Sequence, residues 1–189
     1  MADTRLQERQ QALEDAFYRD DTETYRHQLE PRKAEDDAFE DLAAASGISD
    51  EAVLRRLAGL GIRADTLAAL TLIPLIEVAW ADGKMDARER EAVLSSAEST
   101  GISKESPSYG LLRIWIEDPP APALVDAWSE FISALCRDFS EEQRGRLQRN
   151  ILSRARKVAE AAGGFLGLGS KVSKEESVVL ESLERAFWR

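Results

Sequence analysis

The chain has 189 residues, with 35 acidic side chains against 25 Lys and Arg, a single His and a single Cys, and 43% of it is apolar. One Cys and one His exclude an internal disulfide, a Cys-based zinc site and, within one chain, a His-metal cluster or a Ser-His-Asp triad. The net charge of −10 argues against nucleic acid as a partner, because phosphate binding needs a basic face.

Helical periodicity dominates from the start, and no run shows convincing strand alternation. Residues 4–19 and 22–46 read as charged, weakly amphipathic helices whose few large apolar positions are Leu13, Phe17, Leu29, Phe39 and Leu42. Pro31 should interrupt the second helix and Gly47 should end it. So charged a region should pack less firmly than the rest. Ser49 is the expected N-cap of a short helix, 50–58, carrying Val53, Leu54 and Leu57. Asp65 is the expected cap of an apolar helix, 66–81, with Leu67, Leu70, Ile73, Leu75, Ile76, Val78 and Trp80. A helix apolar nearly all round belongs at the centre of a bundle. Its most apolar stretch, Leu67 to Trp80, is 14 residues long and interrupted by Pro74 and Glu77, too short to span a bilayer.

Helices follow at 87–99, 107–117, 122–138, 141–162 and 174–187. The 122–138 stripe of Leu124, Val125, Trp128, Phe131, Ile132 and Leu135 is the cleanest in the chain. The chain is therefore expected to be all-α. Trp80, Trp115 and Trp128 read as core, Cys136 as a buried structural thiol, and Trp188 as core or contact surface. The glycine-rich run Gly163 to Lys171 is not a P-loop: its order is Gly-Ser-Lys, and a helix rather than a strand precedes it. No apolar run lies in Met1 to Asp15, so no signal peptide is expected, and with the lone Cys this points to a cytoplasmic protein.

Charge is distributed unevenly. Residues 1–41 hold 13 acids and 6 bases, whereas residues 137–157 hold seven bases and three acids. Such a basic helix is commonly a solvated face. Complementarity to the acidic N-terminal region, or a docking face, are the alternatives.

Residues 81–90 read Ala-Asp-Gly-Lys-Met-Asp-Ala-Arg-Glu-Arg after the apolar helix. Gly83 lets the chain leave one helix, Met85 can staple the next, and Asp86 with Glu89 forms a capping-box pair. A partial echo stands at Lys171-Val172-Ser173-Lys174-Glu175-Glu176, with Ser173 in the cap position. The apolar helix, the Ala81-Asp82-Gly83-Lys84-Met85-Asp86 turn and Glu89 resemble the signature of the TerB-like family of tellurite-resistance proteins, related to the N-terminal domain of DjlA-type co-chaperones. The resemblance covers roughly 62–189. It implies a multi-helix bundle of two pseudo-symmetric helical hairpins, here preceded by an acidic N-terminal helical extension, 1–61.

Asp82, Asp86 and Glu89 crowd one turn, as hard cations prefer, and the resemblance connects these acids with divalent-metal binding. Lys84 opposes an ion, and the same three residues serve equally as helix caps. No other cofactor is implied, and no constellation asks for catalysis. The expected function is a non-enzymatic interaction module, with protein partners, in a bacterial stress response to tellurite, metal or envelope damage. A metal binder or sensor is the alternative.

Overall fold

The structure, a computed structural model, describes residues 36–162 and 172–188, and within them every regular element is helical. The chain divides into two compact units, Met1–Glu40 and Asp41–Arg189. The helices expected before residue 36, the bend at Pro31 and the glycine-rich run 163–171 lie outside the described residues. Helix α1 is described over 36–46 and stops at Gly47, whose φ of 68° is left-handed.

In the second unit, α2 (Glu51–Gly59) leads to a 3-10 segment (Ala64–Leu72), then α3 (Ile73–Ala79), α4 (Ala87–Ser99) and α5 (Pro107–Glu117). Helices α6 (Pro122–Leu135), α7 (Glu141–Ala162) and α8 (Lys174–Arg185) follow, and a last 3-10 turn spans Ala186–Trp188. Helix α3 packs on both α7 and α8, α4 lies against α7, and α5 covers the 3-10 segment. Helix α2 packs on α6, which also packs on the final 3-10 turn. There Trp128 meets Phe187 edge-to-face, with centroids 6.1 Å apart.

The expected 66–81 helix occupies the centre but is two elements, not one. Leu70, Leu72, Ile73, Leu75, Ile76 and Val78 are all fully buried. The break falls beside Pro74, the second residue of α3. Proline has no N–H to return to Leu70 and its ring crowds that carbonyl, so an α-helix cannot run through unaltered. The chain tightens instead, and Ile73 bonds Leu70 in the i→i−3 manner. Asp65 is not the cap either: Thr66 Oγ1 accepts from the Arg63 N–H at 2.8 Å. At α2 the cap is Asp50 rather than Ser49, its carboxylate accepting from the Val53 N–H at 3.3 Å.

Trp115 and Trp128 are buried as expected, while Trp80 is half-buried and donates its indole N–H to the Trp115 carbonyl at 2.9 Å. Cys136 is buried at the end of α6, and burial pushes its thiol pKa up against the opposing charge of Arg144. Two of the apolar residues on these helices face outward, Ile114 and Val178.

Candidate functional site

The turn between α3 and α4 is built from backbone geometry first. Trp80 and Ala81 close the end of α3 by bonding Ile76 and Val78, and Gly83 then bonds Trp80 at 2.8 Å. Gly83 has φ of 85° and open space where a Cβ would stand. Backbone conformation alone therefore calls for glycine there. Asp82 folds back, its Oδ1 accepting from the Lys84 N–H at 3.1 Å. Met85 is half-buried beside the cap.

Asp86 then caps α4. Its Oδ1 accepts from the N–H groups of Arg88 at 2.7 Å and Glu89 at 2.9 Å, while Glu89 Oε2 accepts from the Asp86 N–H at 2.8 Å. That is a complete capping box. The α8 turn repeats it with a neutral cap. Ser173 Oγ accepts from the Glu176 N–H at 3.1 Å, and the Glu176 carboxylate accepts from the Ser173 N–H.

The exposure of these acids separates them. Asp82 and Asp86 are exposed, whereas Glu89 and Glu176 are each only 6% exposed. The reason is helical register. Glu89, Val93 and Ala97 recur at i, i+4 and i+8 along the buried side of α4, and Glu176, Leu180 and Leu183 recur at i, i+4 and i+7 on α8. Each capping glutamate is thus the first residue of a core stripe. Burial pushes the Glu89 carboxyl up to about 7. The charges of Asp86, Glu176 and Asp82 push the same way, and the hydrogen bond from Asp86 opposes them. Glu176 therefore lies within electrostatic reach of the first turn, a proximity across 87 positions that the sequence motif alone did not express. The signal that could have found it is the continuation of the apolar period forward from each glutamate.

All three acids proposed from sequence are thus on one turn, with a backbone N–H bonded to each. Among the described residues no group of three or more His, Cys, Asp or Glu side chains is placed to hold a metal ion. No family model, curated protein or solved structure matches this chain. Among the described residues, no single helix is long and apolar enough to cross a membrane.

A second feature escaped the sequence reading. Arg144, near the start of α7, donates to the Cys136 carbonyl at 3.1 Å and lays its guanidinium 5.4 Å from the centroid of the Trp188 ring. Trp188 stays half-exposed. Basic residues on α7 gave a charge count in sequence but no hint that one of them ties the end of α6 to the last turn.

Proposed function

We propose that this chain is a TerB-like helical module that binds protein partners in a bacterial response to tellurite, metal or envelope stress. The observation that supports it most is the pair of capping-box turns whose glutamates, Glu89 and Glu176, are both buried and electrostatically in reach of one another. Two pseudo-symmetric helical hairpins are what the TerB-like resemblance implies, and the resemblance carries the functional reading with it. Exposed Ile114 and Val178 supply apolar contact points on two different helices.

Photocrosslinking in the source bacterium tests the reading. With a benzophenone side chain in place of Val178 or Ile114, discrete adducts with another protein should form and increase under tellurite or metal stress. Adducts absent at both positions, in stressed and unstressed cells alike, would overturn it.

A second reading, a weak divalent-ion site at Asp82, Asp86 and Glu89, draws on the negative charge that converges on Glu89. It requires carboxylates now bonded to backbone N–H groups to turn toward an ion. Ion-dependent thermal stability separates the two readings.

A further inference from the structure

Two seams between helices are tied by charge: Arg56 of α2 pairs with Glu130 of α6, and Arg90 of α4 with Glu117 of α5. The seam between α7 and α8 holds a cavity of about 420 Å³ instead, within the size range of small-molecule sites. Leu152 and Leu180 supply the apolar part of its lining, and Leu180 is buried. Arg156 and Glu160 of α7, with Glu181 and Glu184 of α8, supply the charge. Glu184 is already engaged, accepting from the Gln148 side chain at 2.7 Å. Arg156, Glu160 and Glu181 line the same cavity and form no ion pair with any described residue. Helical order explains why the first two stay apart. An acid one turn before a base is the favourable arrangement, and Glu142 with Arg146 adopts it at 3.2 Å. Arg156 and Glu160 stand in the reverse order, and both charges are left unmatched beside the cavity.

We infer that this groove binds a small zwitterion, a free amino acid with an apolar side chain. Arg156 receives its carboxylate, Glu160 and Glu181 receive its ammonium group, and Leu152 and Leu180 meet its side chain. One helical turn separates Arg156 from Glu160, about 6 Å along the axis at ~1.5 Å per residue. A guanidinium and a carboxylate so spaced leave room for both charged ends of one amino acid, each in a charge-assisted hydrogen bond. An anion alone meets Arg156 but is repelled by the carboxylates of Glu160, Glu181 and Glu184. A cation alone leaves Arg156 unmatched and beside a like charge. Only a ligand carrying both signs satisfies the lining. None of Asp82, Asp86 and Glu89 lines this cavity, so the inference goes beyond the interaction module and draws nothing from the family resemblance.

The test titrates the full, isotope-labelled chain with L-leucine and follows its backbone amides by NMR. Amides of α7 and α8 around Leu152, Arg156, Leu180 and Glu181 should shift and saturate at millimolar ligand. Two analogues separate the charges: isoamylamine lacks the carboxylate of leucine, and isocaproate lacks its amino group. Each should bind about fivefold or more weakly than leucine, since exposed charge pairs contribute modestly. Arg156→Gln should weaken leucine to the level of isoamylamine, and the double variant Glu160→Gln, Glu181→Gln should weaken it to the level of isocaproate. Arg156, Glu160 and Glu181 are all exposed, so these variants should keep the helical circular dichroism of wild type. Arg113→Gln, at an exposed arginine on α5, should leave binding unchanged. The inference is overturned if leucine produces no saturable shift at the groove. It is equally overturned if either analogue binds as tightly as leucine, or if Arg156→Gln binds leucine as wild type does. Failure of the crosslinks from Val178 and Ile114 would sink the interaction module and leave this groove untouched.

Discussion

Glu89 holds its position through two opposed requirements: it must accept a hydrogen bond from Asp86, and it must sit in the buried stripe of α4. With its pKa raised from 4.5 to about 7, the folded chain binds more protons than the unfolded chain in that interval. Stability from this group is therefore complete below 4.5 and lost as pH rises toward 7. Glu89→Gln keeps the acceptor and removes the titration. Its urea midpoint should vary less over the same interval than that of wild type, and an equal slope would contradict the assignment. At Asp86 the cap is separable from charge: Asp86→Ala should cost about 0.5–2 kcal/mol, whereas Asp86→Ser should be close to neutral. Ser173 already shows a hydroxyl doing the same task at α8. Thermal unfolding with millimolar Ca²⁺, Mg²⁺ or Zn²⁺ should leave all three proteins unshifted if Asp86 is a cap. An ion-dependent gain in wild type that disappears in Asp86→Ser would favour the metal reading instead. Sequence motif reading reached these caps because a capping box is local. It missed the nearness of Glu176, which depends on how distant helices pack.

Elements were legible wherever one face of a helix is polar. Helices α4, α5 and α7 fall on the expected residues because polar flanks, proline and glycine mark their ends. The centre was less legible. Residues 66–81 are apolar nearly all round, so periodicity carries no phase there, and it could not separate a 3-10 turn from an α-helix across Pro74. Adjacent Ser49 and Asp50 are both good caps, and backbone geometry chose the second. Burial survives the change of element, so Leu70→Ala should still cost about 2–5 kcal/mol, read from chemical denaturation; a loss well under that range would mean that Leu70 packs loosely. Arg144 joins α6, α7 and the final turn through one side chain. Arg144→Ala should lower stability by roughly 1–2 kcal/mol and make Trp188 more accessible to acrylamide. Unchanged quenching would show that the stacking does not shield the ring.

Over the whole molecule, acid and neutral conditions pull in opposite directions. The Asp50 carboxyl is held below its usual 3.8 by the Val53 N–H and then by Arg137. Its contribution is present above 3.8 and is lost as pH falls through the lowered value. Glu89 withdraws its contribution at the other end, and net charge of −10 adds self-repulsion near neutrality. Maximum stability is therefore expected on the acid side of pH 7, between those two carboxyl ranges. A pH series of melting temperatures with its maximum above 7 would show that other groups dominate. Composition disclosed the helical class and the charge asymmetry, since both are sums over the chain. Which basic residues of α7 face outward is a matter of packing, and only the folded arrangement distinguishes Arg149 and Arg156 from the inward Arg144. Cys136, finally, is the sole thiol in the chain and is buried where α6 ends beneath Arg144. A thiol reagent can reach it only after that corner opens. Its labelling rate in the unmodified protein is thus a clock for the opening of that corner, read without introducing a new cysteine.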